Sequence, residues 1–170
     1  MKKILLVCAF AMVSIMSFAG GLKTKSGDIA VLKEAANATF ELNIDGATWE
    51  KKEDFKTWCE EDYDVRVKSM QETFPTSFNK YTSGLKIADQ SPKYKVVLTI
   101  NNFERKQGMG LWGSCYITIS GTLDIQDAAT GSTVLSVEVK NQGGDTDFVE
   151  NDRFPKTIDE LCKKLFKMKK

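Results

Sequence analysis

Tyr94-Lys95-Val96-Val97-Leu98-Thr99-Ile100 sets Tyr94, Val96, Leu98 and Ile100 on one side of an extended chain and Lys95, Val97 and Thr99 on the other. A period of two is the signature of a half-buried strand, because successive side chains of extended backbone point to opposite faces. The pattern returns twice downstream. From Ser114 to Ile125, Cys115, Ile117, Ile119, Gly121, Leu123 and Ile125 oppose Tyr116, Thr118, Ser120, Thr122 and Asp124. Leu135, Val137 and Val139 then alternate with Ser136, Glu138 and Lys140. The connections at 108–113 and 127–131 are short and contain glycine, so these three strands are expected to form an antiparallel meander.

Upstream, Ala38, Phe40, Leu42 and Ile44 alternate with Thr39, Glu41 and Asn43, a fourth strand ended by Asp45-Gly46. The stretch before it, 20–37, is polar apart from Ile29 to Leu32 and reads as a short edge strand or a packed arm. Between the strands, Asp54 to Thr73 predicts a helix with Phe55, Trp58, Cys59, Tyr63, Val67 and Met70 on one stripe. Asp54 suits its N-cap, since a carboxylate accepts from the free amides of a first turn. Pro75 is expected to stop this helix, with a second short helical piece carrying Phe78 and a short strand at 85–87. Downstream, Asp152 to Met168 predicts a last helix, its stripe made by Ile158, Leu161, Cys162, Leu165 and Phe166. Lys163, Lys164, Lys167, Lys169 and Lys170 crowd its end, where cations complement the helix dipole. The expected fold is α+β: a two-layer sandwich of a roughly four-stranded, largely antiparallel sheet with two helices on one face.

The N-terminus reads as an export leader. Lys2 and Lys3 precede an apolar run from Ile4 to Met16, and Ser17-Phe18-Ala19 supplies small residues where a signal peptidase cuts. Cleavage after Ala19 leaves one domain, residues 20–170, with no later stretch long enough to span a bilayer. Cys8 follows Val7, which is not small, so a lipid anchor is not expected. The whole chain has 24 basic and 23 acidic side chains, and losing Lys2 and Lys3 keeps it near neutral. That balance argues against nucleic acid, which calls for a basic stripe. Cys59, Cys115 and Cys162 each fall on an apolar stripe or face, and an odd number does not make a disulfide framework. Buried thiols are expected, with a Cys59–Cys162 bridge as the alternative.

The chain has no histidine. That removes Ser-His-Asp and Cys-His catalysis and the usual zinc sites. Gly108-Met109-Gly110-Leu111-Trp112-Gly113 has the letters of a dinucleotide loop, but a phosphate-holding loop leads into a helix, whereas this one leads into a strand. Its interest lies in Met109, Leu111 and Trp112, an apolar tip suited to meeting a partner. The two Ser-x-x-Lys matches, at Ser77 and Ser83, lack their companion motifs and read as loop chemistry. Asp145, Asp147, Glu150 and Asp152 lack the spacing of a calcium loop, so neither metal nor cofactor is expected.

Gly27-Asp28, Leu32-Lys33, Phe40-Glu41-Leu42, Phe78-Asn79, the strand from Tyr94 to Ile100 and the closing lysine-rich helix together resemble a family of small exported proteins of gut Bacteroidota-type bacteria. The three meander strands and the final helix look, more distantly, like envelope domains accessory to outer-membrane assembly. The resemblance implies an envelope or secreted setting and supplies no functional residues. The expected function is therefore a non-catalytic binding or assembly module of the bacterial envelope, periplasmic or extracellular, with an envelope protein as partner. The alternatives are a carboxylate-based hydrolase acting on glycans and a carrier of small apolar ligands.

Overall fold

The computed structural model describes residues 21–107, 115–144 and 153–168. The chain opens with β1 (Gly21–Gly27), a 3-10 turn (Ile29–Lys33), β2 (Asn37–Asn43) and two short strands, β3 (Thr48–Trp49) and β4 (Glu53–Asp54). One-turn helix α1 (Phe55–Cys59) and the long α2 (Tyr63–Tyr81) follow, then β5 (Lys86–Ile87). The long strands β6 (Tyr94–Gln107), β7 (Cys115–Asp127) and β8 (Thr133–Gly143) and a last helix, α3 (Arg153–Leu165), complete it.

The fold is α+β, but the sheet is larger than expected. Among the described residues eight strands form one mixed sheet in the order β1-β8-β7-β6-β2-β5, with β3 beside β6 and β4 beside β3. The meander is antiparallel, while β2 and β3 run parallel to β6 and β5 runs parallel to β2. The four-stranded, largely antiparallel expectation therefore fails. Its four strands all exist; the added ones carry little signal. β1 is an edge strand with a single large apolar residue, Leu22, and β3, β4 and β5 have two residues each, too few to show a period. The parallel pairing follows from chain path. β2 reaches β6 only after a helical crossover, and such crossovers bring strands in side by side in the same direction.

A core of apolar side chains fills the layer between sheet and helices. Leu98, Leu123, Val137, Phe78, Ile158 and Leu161 are each fully buried there. Cys59 and Cys162 are buried thiols with no disulfide between them, so the alternative bridge does not form, and Cys115 is half-buried. Burial pushes the Cys59 thiol up to about 11, and the Cys162 thiol upward as well, which keeps both unreactive.

Asp54 caps α1 as expected, accepting from the Thr57 amide at 2.9 Å. The predicted continuous helix is broken, however, at Glu60, which takes φ 50°. The break sets Trp58 between two partners. Trp49 stacks on one side with ring centroids 3.6 Å apart, and the Arg66 guanidinium lies 4.7 Å from the ring. Arg66 also faces Phe154 of α3 at 5.5 Å, so one cation ties three elements together.

Pro75 does not stop α2. Met70, Phe74 and Phe78 recur every fourth residue and are all fully buried, so packing carries the helix through the lost hydrogen bond. The two long helices are pinned by Asp159 of α3, which accepts from Ser77 Oγ and Tyr81 Oη, each at 2.8 Å. Lys80 Nζ stands 3.5 Å away. Ser77 and Lys80, read from sequence as loop chemistry, thus lie inside α2 and serve this clamp.

Burial opposes ionisation of Asp159, but its donors outweigh that and hold the carboxyl below its usual range. A folded value below the unfolded one, about 3.9, gives stability that is fully present above that pH and lost as pH falls through the folded value. Asp159→Asn is expected to lower the urea midpoint near pH 7 by the equivalent of about 1–2 kcal/mol. The gap to wild type should narrow as the titration is repeated toward about pH 3, and a constant gap would count against the clamp.

Candidate functional site

One end of the sheet is unlike the rest. Five polar side chains are buried among the described residues, and four of them, Asn102, Thr118, Gln142 and Thr157, lie where β6 ends, β7 begins and β8 runs out. Burying polar groups is costly unless every one is hydrogen-bonded, so their concentration calls for a cause. Each is satisfied here.

Two irregularities build this end. A bulge after Ile100 inserts Asn101, so that Asn102 pairs with Ser120 and Phe103 with Ile119. Alternation continues past the bulge in the opposite phase. Phe103 takes the inward position, and Asn102, Glu104 and Lys106 join Ser120, Thr118 and Tyr116 on the outer face. The Asn102 amide oxygen accepts from Thr48 Oγ1 at 2.8 Å and from the Lys51 amide at 2.9 Å. Its Nδ2 donates to Glu104 at 3.0 Å. It thereby fixes the β3–β4 turn, where Glu50 and Lys51 both have positive φ.

On β8 the register shifts between Gln142 and Val139, opposite Ile119 and Gly121. Asn141 takes φ 46° and is held twice by Ser120, whose Oγ accepts the Asn141 amide at 3.0 Å and donates to its Oδ1 at 3.2 Å. Gln142 turns inward, fully buried, and accepts from Lys164 of α3 at 3.1 Å. Thr157 closes the corner, donating to the Ile117 carbonyl at 2.8 Å and accepting from the Gly144 amide at 3.3 Å.

β1 pairs with β8 only as far as Lys140, so the β8 edge beyond is open among the described strands. Over that edge runs a groove of about 450 Å³ lined by Lys106, Tyr116, Thr118, Asn141, Gly143, Gly144 and Lys164. None of the described lining residues is acidic. Glu104, whose side chain is 12% exposed, pairs with Lys106 and, at 3.3 Å, with Lys51. Lys106 foremost, with help from Lys51, holds the Glu104 carboxyl below its usual range against the effect of burial. A second groove, about 560 Å³, lies at the opposite end among Asn37, Ser83, Lys86, Ser91 and Lys93. There the Lys93 ammonium is already taken by Glu34.

Met109, Leu111 and Trp112, the partner contacts expected from sequence, lie outside the described residues, as do the rest of 108–114 and the acidic run at 145–152. Their anchor points are described. Gln107 and Cys115 face each other as the last pair of β6 and β7, and Gly144 and Arg153 bracket the second segment. Both segments therefore spring from the polar end. Glu60, Glu61, Asp62 and Asp64 are exposed, as a solvated helix face should be. Among the described residues no group of three or more potential ligands could hold a metal ion. No helix among them is long and apolar enough to cross a membrane.

No protein-family profile matches the chain, and no curated protein matches it. Among solved structures the chain is similar to the PelC dodecamer from Paraburkholderia phytofirmans, with a TM-score of 0.47 and 14% identity over 85% of this chain and 97% of that one. A single-substitution variant of the same dodecamer gives a TM-score of 0.46 and 14% identity over 85% and 96%.

Proposed function

We propose that the chain is an exported, non-catalytic binding or assembly module of the bacterial envelope, released by cleavage after Ala19 without a lipid anchor. It works through the polar end of the sheet, and Met109, Leu111 and Trp112 make the contact with its partner. The observation that carries this reading is the concentration of buried, fully bonded polar side chains on the half of the sheet from which segment 108–114 springs, with Thr118 three residues from Cys115 and Asn102 five from Gln107. A fold that places its costliest polar groups there holds the roots of that segment in one geometry, as a recognition loop requires.

The alternatives need other features. A glycan hydrolase needs two carboxylates flanking a cleft, and among the described residues neither groove is lined by one. A carrier of apolar ligands needs a cavity between sheet and helices, where Phe74, Phe78, Leu123, Leu135 and Ile158 are packed to full burial. The test is affinity capture from cross-linked envelope extracts. Wild type should recover a defined partner, and Trp112→Ala should reduce that recovery about tenfold or more, as for a central aromatic contact. Failure to recover any partner under cross-linking would overturn the reading.

A further inference from the structure

We infer that Asn79 of α2 locks the outer edge of β5, closing it against strand pairing with a second copy of this chain. β5 lies beside the groove of Lys86 and Lys93, away from the polar end, so the lock is independent of the proposed partner contact.

The Lys86 and Ala88 amides donate toward β2, to the Ala36 and Ala38 carbonyls, each at 2.9 Å. Ile87, between them, turns its own N–H and C=O to the other side, away from β2. A single side chain takes both. The Ile87 amide donates to Asn79 Oδ1 at 2.8 Å, and Asn79 Nδ2 donates to the Ile87 carbonyl at 2.9 Å. Two facing residues of an antiparallel ladder exchange this same pair of bonds. A carboxamide offers an acceptor and a donor side by side, so Asn79 stands where one residue of an added strand would stand.

Its surroundings aim it. Phe78, the preceding residue, is fully buried and meets Phe166 edge-on at 4.9 Å. The Thr82 amide closes the helix on the Phe78 carbonyl at 3.1 Å. The link from α2 to β5 runs only from 82 to 85, and a Cβ at Gly84 would lie 2.4 Å from the Lys33 carbonyl carbon, so the link is pressed against the 3-10 turn. Asn79 itself is exposed, where water competes for both groups and a hydrogen bond adds little to stability. Its two bonds matter most when another strand approaches, because that strand must displace both.

The far edge of the sheet is guarded in another form. β1 presents exposed Lys23 and Lys25 and a bulge between Thr24 and Ser26. Lysines and bulges on an end strand hinder pairing with another chain. β5 is two residues long, which leaves no room for a bulge, and its covering group comes from α2.

Sedimentation velocity over a concentration series tests this on the chain from Gly20 onward, which holds every described element. Wild type sets the baseline. Asn79→Ala should self-associate about tenfold or more strongly, since a pairing strand no longer displaces two bonds. Adding Ile87→Pro should return the wild-type profile. Proline lacks the outward N–H and is tolerated on an edge strand whose N–H faces outward, while the bonds to β2 come from Lys86 and Ala88. Hydrogen exchange supplies a second readout that needs no proline. In Asn79→Ala the Ile87 amide should exchange faster than in wild type when dilute and regain protection as concentration rises. Wild-type self-association by Asn79→Ala at every concentration would overturn the inference. So would association that leaves the Ile87 amide unprotected or that persists in a folded Asn79→Ala, Ile87→Pro double variant.

Discussion

Replacing Phe103 with alanine is expected to cost about 3–5 kcal/mol of folding stability, as for other large-to-small changes in a packed aromatic core. Phe103 is fully buried on β6, immediately past the bulge. Its ring stacks on Phe55 with centroids 3.9 Å apart and meets Phe154 edge-on at 5.7 Å. Truncation would leave a void bounded by the sheet, α1 and α3 at once, so no single element can move in to fill it. Against a total stability of about 5–15 kcal/mol, such a loss leaves the chain near its unfolding threshold. Urea denaturation followed by tryptophan fluorescence measures it, and Phe103→Leu should recover more than half the loss. An alanine variant within about 1 kcal/mol of wild type would mean that Phe103 does not occupy the inward position after the bulge.

The second large effect is at Gly121. It faces Ile100 across β6 and β7, and a Cβ there would lie 1.9 Å from the Thr99 carbonyl oxygen. Backbone cannot yield as a flexible side chain can, so Gly121→Ala must push the two central strands apart. The expected loss is about 3 kcal/mol or more, the upper end for overpacking. Gly131 is the control. It has φ 71° and nothing within 4 Å, so Gly131→Ala carries only the left-handed backbone cost of about 1–2 kcal/mol. Thermal melts of the two variants should rank them in that order, and the reverse order would contradict the register of the central pair.

These two positions mark where the sequence is readable and where it stops being so. The inward run of Tyr94, Val96, Leu98 and Ile100 obeys a strict period, as do Ile117, Ile119, Leu123 and Ile125 and then Leu135, Val137 and Val139; all of these are buried as their spacing requires. The period fails at Asn101. A polar pair followed by Phe103 is the trace a bulge leaves in sequence, and it reverses the facing of Asn102, Glu104 and Lys106. The parallel arrangement of β2 beside β6 follows from the helical crossover between them, which the largely antiparallel expectation overlooked, whereas β1 and the two-residue strands left no period to find. Pro75 misleads because local propensity is overruled by the three buried side chains around it.

The site was legible only in part. The apolar tip at Met109, Leu111 and Trp112 stands out in sequence, though it lies outside the described residues. The groove beside its roots was invisible, since Lys106, Tyr116, Asn141 and Lys164 come from four separate stretches and no spacing rule joins them. Gln142, fully buried, carried the one available signal: an amide at a position where the β8 alternation should have ended.

The polar end of the sheet is the proposed meeting point of the protein with its partner. The most direct measurement is quantitative capture of the cross-linked envelope partner by wild type, by Trp112→Ala and by Lys86→Ala at the opposite end of the sheet. Recovery should drop about tenfold or more for Trp112→Ala, matching the loss of a central aromatic contact, and stay at the wild-type level for Lys86→Ala. Equal recovery by wild type and Trp112→Ala, or loss confined to Lys86→Ala, would contradict it.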